Sequence, residues 1–426
     1  MKETIVDAQT LDEATRGKLL SLFEGRLSRQ MLLNLETCSR CGLCTEACHA
    51  YASMPLVRHA PAWRAEVVRR IYKKYFTAKG RLLPRLGEAR ALTGSALEEL
   101  GEAAWTCTGC RRCMVYCPFA VDTQQIMSIA KLLLIGAQAE PEILTMLADV
   151  SVSRGENVES IREGFLAGIK RLEGQVVEKW KSQAGRTPIP TEVVGADMLY
   201  VALAGAHSIV PAAAVFNAAG ENWTLSFFEA VNFGAFVGDP AKTRIILERI
   251  VSEALRLGVK EVCICECGTA YRVARQLSVG QPFEVVSLTE VQARYLRQGR
   301  VKVRRLPGTF TYHDPCQIAR NAGVYEAPRE ILRAVAGEYR EMSPDPLYNW
   351  CCGGGGGLVA MGEDTLEFRM KSSRVKADQV RASGADILVT ACENCHTQLE
   401  DLNRHYGLGK EVRFLSALVA EALEAD

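Results

Sequence analysis

The spacing of apolar positions changes along the chain, and each change marks a different kind of structure. Up to about residue 30, Leu11, Leu19, Leu20, Leu22 and Phe23 recur on one partly apolar face, which predicts a helical lead. Between residues 156 and 182 the recurrence is again helical, through Ile161, Phe165, Ile169, Leu172 and Val176, and Pro188-Ile189-Pro190 ends it. Beyond Asp197, short apolar runs alternate with longer helical stretches, and 199–203, 261–264, 310–312 and 386–389 read as strands. Residues 198–220 carry no charge over a membrane-spanning length, but His207, Ser208, Pro211 and Asn217 interrupt them. They read as a buried strand, a turn and a helix that starts at Pro211.

The α/β region repeats its own plan. Its first half has a strand and turn near Ala206, a turn at Asn232-Phe233-Gly234 and a strand ending at Cys265. Its second half has a strand and turn at Cys316, then Cys351-Cys352-Gly353, then a strand ending at Cys392. The expected architecture is α+β and α/β. A helical domain covers 1–140, a helical connector 141–195, a first α/β half 196–300 and a second half 301–426.

Composition narrows the functional classes. With 426 residues, 48% apolar and 24% charged, the chain has enough material for several buried cores. A formal charge of +1, without a basic tail or aromatic-interleaved basic stripe, sets nucleic acid aside. The first twenty residues mix acids and bases and have no apolar core, so a cytoplasmic protein is expected. In that compartment structural disulfides are rare, and sixteen cysteines call for metal or redox chemistry.

Thirteen of the sixteen fall in close groups. Cys38, Cys41, Cys44 and Cys48 have the spacing CxxCxxCxxxC, and Cys107, Cys110, Cys113 and Cys117 repeat it, with Pro118 after the second run and His49 after the first. Three cysteines at three-residue intervals can grip three irons of a 4Fe-4S cube while a fourth arrives from elsewhere. In bacterial two-cluster ferredoxins the fourth cysteine of each run crosses to the other cluster. By that rule Cys38, Cys41, Cys44 and Cys117 hold one cluster and Cys107, Cys110, Cys113 and Cys48 the other. Zinc is the competing occupant, and the three-plus-one spacing fits it less well. His49 is a spare ligand, a proton carrier or a polar residue at a helix start. Between the runs lies a basic helical insert with Arg58, Arg64, Arg69, Arg70, Lys73, Lys74, Lys79, Arg81 and Arg85, either a solvated face or a docking surface for an acidic or membrane partner.

His313-Asp314-Pro315-Cys316, Trp350-Cys351-Cys352-Gly353 and Cys392-Glu393-Asn394-Cys395-His396 form a second set, each placed at a turn after a strand. Adjacent cysteines strain to share one metal ion but can bind different irons of a cluster. The glycines from 353 to 357 let backbone come close. No Lys-Ser/Thr follows them, as a phosphate loop requires, and Leu358 stands where a dinucleotide fingerprint needs its last glycine. Cys392-Glu393-Asn394-Cys395-His396 also spells a haem-attachment motif, but its place after a strand, in line with two other cysteine turns, argues for a cluster.

These spacings resemble the cysteine-rich CCG domain of heterodisulfide reductase, and the whole chain is similar to the D-type subunits of that enzyme. It is closer still to the heterodisulfide-reductase-like subunits of membrane complexes in sulfate and sulfur metabolism, such as the K subunit of the dissimilatory sulfite reductase-linked complex. The residues that carry this are Cys41-Gly42-Leu43-Cys44, Cys48-His49, Arg69-Arg70-Ile71-Tyr72-Lys73-Lys74-Tyr75-Phe76, Cys110-Arg111-Arg112-Cys113, Glu266-Cys267-Gly268 and His313-Asp314-Pro315-Cys316. The resemblance implies a third, catalytic 4Fe-4S centre, cubane or noncubane, that cleaves a disulfide or trisulfide. Its ligands would be Cys316, Cys351, Cys352, Cys392 and Cys395, with Cys267 arriving from the degenerate half. Cys316, Cys351, Cys352 and His313 would form the catalytic group, with His313 as proton donor or as the residue that orders its turn. Thr269 replaces the histidine of the related subunits, and the first half lacks paired cysteines, so one such centre is expected rather than two.

The expected function is a cytoplasmic iron–sulfur subunit peripheral to the inner face of the cell membrane. It would take electrons from a membrane cytochrome b, a quinol-oxidising subunit or a multihaem cytochrome. Two 4Fe-4S clusters would pass them to a disulfide or trisulfide, free or carried on a small protein. A pure relay and the iron–sulfur subunit of a glycolate or lactate oxidase are the alternatives.

Overall fold

The structure, a computed structural model, describes residues 11–156, 158–180, 188–203, 205–344 and 346–424. The first ten residues of the helical lead, the Ile161 side chain and the connector's end at 181–182 lie outside these residues. The chain forms two compact units. One holds residues up to 146 with 236–239 and 350–376, and the other holds 147–235, 240–349 and 377–426. The paired cysteines, placed from sequence in the second α/β half, therefore belong to the same unit as the two cysteine runs.

The first unit is helical because apolar residues recur at helical spacing and polar residues stand ready at the helix starts. Asp12, Ser28, Thr93 and Asp122 cap the helices Glu13–Glu24, Arg29–Glu36, Gly94–Trp105 and Thr123–Gly136 by accepting backbone N–H groups with their side chains. Pro61 opens the helix Pro61–Phe76, where its missing N–H costs nothing. These five helices bury Leu19, Phe23, Leu35, Val68, Ile71, Leu100, Ile126 and Leu133 in one core. Arg64 and Arg69 of the basic insert are 2% and 4% exposed, so the solvated or docking face expected there does not include them. The reason is local: Arg69 donates to the Leu35 carbonyl at 2.6 Å, and Arg64 turns towards the cysteine runs.

The second unit contains two four-stranded parallel sheets. β1 (Met198–Val201), β2 (Trp223–Leu225), β3 (Glu261–Ile264) and β4 (Glu284–Ser287) lie in the order β2-β1-β3-β4. β5 (Leu306–His313), β6 (Ala336–Tyr339), β7 (Ile387–Thr390) and β8 (Glu411–Phe414) lie in the order β6-β5-β7-β8. The same permutation twice is the structural form of the internal repeat. Central strands such as β1 are buried along their whole length, as parallel sheets covered by helices require. The register sets Val201 beside Ile264 and His313 beside Thr390, so the cysteine turns leave matching sheet edges. In open parallel sheets that carboxyl edge is where ligands bind.

One helix start differs from expectation. The helix after β1 runs Ala206–Ala218 with Pro211 inside it, and not from Pro211 onwards. Burial of Ile209, Val210 and 212–216 on this helix outweighs the one backbone hydrogen bond that proline removes.

Candidate redox site

The two cysteine runs have the same backbone. In each, the third and fifth positions are left-handed: Arg40 and Gly42 at φ 60 and 83°, Gly109 and Arg111 at φ 66 and 59°. Loops of this kind form concavities lined by N–H groups, which suit an anionic group. A single helical turn follows, Leu43–Ala47 or Arg112–Tyr116, and each ends on an extended cysteine, Cys48 at φ −82, ψ 120° and Cys117 at φ −82, ψ 121°.

The thiols group across the runs. Cys38, Cys41, Cys44 and Cys117 line one cavity with Gly42, Pro61 and Phe119. Burial pushes the Cys44 thiol up to about 11, helped by Cys38, Cys117 and Cys41. Cys113 is pushed well up by burial and then by Cys110, Cys107 and Cys48. All sixteen cysteines are free thiols. Thiols raised as Cys44 and Cys113 are become stable thiolates only beside positive charge, and four converging sulfurs at this spacing fit a 4Fe-4S cluster.

The second group is ringed by residues that sequence reasoning did not single out for it. The buried Arg64 reaches Cys48 Sγ at 3.5 Å and donates to Thr106 O at 3.0 Å, placing a fixed positive charge beside the thiols. Buried Arg112 donates to Ala47 O at 2.8 Å and lies 3.4 Å from the centre of the Trp350 ring, which anchors the paired-cysteine loop. Cys351 Sγ is 3.4 Å from Thr108 Oγ1. A Cβ on Gly355 or Gly356 would stand 2.7 Å from Thr108 O or 2.5 Å from Cys107 O, so only glycine allows this approach. Lys131 Nζ, pushed down to about 7 by burial, donates to Gly356 O at 3.0 Å and Phe236 O at 2.7 Å and sits 4.2 Å from the Trp105 ring centre. The run at 353–357 thus brings its backbone against the cysteine loop at 107–108. A buried basic residue near a cysteine run is a weak signal in sequence, because Arg64 and Lys131 look like ordinary helix-surface residues there.

In the second unit, Cys316, Cys392, Cys395 and Cys267 are all buried at the carboxyl edges of β5, β7 and β3. Glu393 N–H donates to Glu266 O at 2.7 Å, which ties the end of β7 to the end of β3. Cys392 is held below the usual thiol range by a hydrogen bond from Cys395 and by the backbone N–H groups of Gly268, Cys395 and Asn394. Cys267 is pushed up to about 12 by burial and by Cys392. A Cβ on Gly268 would stand 2.8 Å from Gln317 Cβ, so the Cys267 and Cys316 turns pack directly together. The structure thus sets Cys267 near Cys392 and next to the Cys316 turn, and Cys263, Cys265 and Cys267 all belong to the hydrophobic core.

His313 is 1% exposed. Asn349 Nδ2 donates to Asp314 O at 3.0 Å, which fixes its amide, and the same nitrogen faces His313 Nδ1 at 3.3 Å. In the neutral ring Nδ1 would then be the acceptor and Nε2 would carry the proton. Arg329 grips Asp314 with two 2.9 Å bonds and Glu341 with a further pair, so the turn before Cys316 is rigid. In the degenerate half, Asn232 caps its turn by accepting Ala235 N–H and donating to Thr243 O, each at 3.0 Å.

Residues 34–121 match the family of 4Fe-4S dicluster domains and residues 310–400 that of cysteine-rich CCG domains. The chain is similar to the Hdr-like menaquinol oxidoreductase iron-sulfur subunit 2 of Archaeoglobus fulgidus, 27% identical across 93% of this chain and 81% of that protein. It is similar to the D-type subunit of the dihydromethanophenazine:CoB–CoM heterodisulfide reductase of Methanosarcina barkeri, 28% identical across 93% and 96% of the two chains. A third relative is the EtfAB:quinone oxidoreductase of Syntrophomonas wolfei, 25% identical across 87% of this chain and 55% of that protein.

Proposed function

We propose that this chain, an iron–sulfur oxidoreductase subunit similar throughout to the D-type subunits of heterodisulfide reductase, moves electrons from a membrane redox partner to a disulfide or trisulfide. Two 4Fe-4S clusters would be held by Cys38, Cys41, Cys44, Cys117 and by Cys107, Cys110, Cys113, Cys48. Cys316, Cys351, Cys352, Cys392 and Cys395, with Cys267, would hold a third, and the clusters when bound supply one-electron transfer. The observation that carries this reading is the placement of Cys351 3.4 Å from Thr108, inside the loop of the second cysteine group. Electron delivery and the paired-cysteine loop would then share one compact unit.

Cleaving a disulfide consumes two electrons and two protons and releases two thiols. His313, oriented by Asn349, would hold one of those protons at Nε2. Among the described residues no helix is long and apolar enough to cross a membrane, so the donor, a quinol-oxidising or cytochrome subunit, would supply the membrane contact at the cytoplasmic face.

Anaerobic purification with iron and sulfide counting tests the reading. About twelve irons per chain are expected, falling to about eight in Cys351→Ser together with loss of disulfide reduction from an artificial donor. About eight irons in both, without a third signal by electron paramagnetic resonance, would leave a pure relay.

A further inference from the structure

His49 occupies the position at which the first cysteine run departs from the second, where Pro118 stands. It opens a helical turn directly after Cys48 and is 3% exposed, and neither ring nitrogen has a hydrogen-bond partner among the described residues. A buried imidazole N–H left unpaired costs about 1–3 kcal/mol. The structure nonetheless aims the ring at sulfur: one ring nitrogen, Cys110 Sγ and Cys351 Sγ all lie within 4.8 Å of one another. One of these sulfurs belongs to the second cysteine group and the other to the paired-cysteine loop. Atoms at that spacing leave no room for another side chain between them.

We propose that His49 is a positioning residue whose unpaired ring N–H would, with the clusters bound, donate to the sulfur of Cys110 or Cys351 and so set the potential at which the second group passes electrons towards the paired-cysteine loop. The proposal rests on the cluster assignment above. Donation of an N–H to a thiolate sulfur withdraws negative charge from it and favours the reduced state, so hydrogen bonds to sulfur raise a cluster's potential. Cys351 Sγ also faces Thr108 Oγ1 at 3.4 Å and accepts Gly353 N–H at 3.3 Å, so the sulfur already sits among polar groups that His49 can join. A proline at this position, as in the second run, would supply no such donor.

The test is a redox titration of the full chain, purified anaerobically and followed by electron paramagnetic resonance, for the wild type, His49→Ala and His49→Gln. In His49→Ala the equilibrium constant for reducing the Cys110-bearing group should fall about tenfold, a shift of about 59 mV to more negative potential for one electron. His49→Gln keeps a side-chain N–H and should stay near the wild-type value. Iron content should be equal in all three, and the signal of the Cys38 group should not move. An unmoved potential in His49→Ala at full iron content overturns the proposal. So does loss of about four irons in both variants, which would make His49 a ligand or a folding residue. A wild-type chain without two cluster signals would overturn the cluster assignment itself, and the proposal with it.

Discussion

The two cysteine groups share their spacing and their left-handed third and fifth positions, yet the protein surrounds them differently. The group of Cys38, Cys41, Cys44 and Cys117 reaches the surface at Cys41, and the nearby Arg40 is bound to Glu88 and Glu66 on the outside of the unit. The group of Cys48, Cys107, Cys110 and Cys113 has no exposed member and is enclosed by Arg64, Arg112, His49 and the paired-cysteine loop. Identical coordination chemistry is thereby given a direction, with an outer group that a partner can reach and an inner one that faces the next sulfur.

The contrast can be broken at three points. The largest effect should come from the ligands: Cys41→Ser and Cys113→Ser should each lower bound iron by about four per chain. A chelator should strip wild-type iron in two phases, the fast one missing in Cys41→Ser and the slow one in Cys113→Ser. A single phase would show that enclosure has no consequence. Arg64→Leu removes a buried cation from the inner group and leaves Thr106 and Cys48 without it, for an expected loss of about 3–5 kcal/mol by anaerobic denaturation. The smallest effects separate two glycines. Gly356→Ala drives a Cβ into the Cys107 carbonyl from a left-handed position and should cost about 2–3 kcal/mol. Gly42→Ala, left-handed but with nothing within 4 Å, should cost only about 1–2 kcal/mol. Equal losses would mean that the inner loop yields as easily as the outer.

Much of this was legible in the residue order. The strand at 261–264 was readable to the residue because a buried strand shows as an uninterrupted apolar run, and 386–389 was one residue out at each end. The repeat in the α/β region was visible because equivalent turns carry equivalent punctuation. The helix start at Ala206 was not, since Pro211 signals a start locally and only packing of the whole helix overrides it. The burial of Arg64 and Arg69 was equally hidden, because charge in a helical pattern reads as surface until its partners are known.

Cysteine spacing by itself determined the chemistry. Thiols three residues apart can meet only at something compact, and that follows from the geometry of a short loop. Tertiary structure decided which thiols meet across the runs, and that the loop at 350–357 closes on Thr108. It also decided that the odd histidine after Cys48 points at two sulfurs from separate motifs. Contacts between residues 61, 243 or 302 positions apart depend on how the helices between them pack, and that free energy is spread over the whole core rather than written at either end.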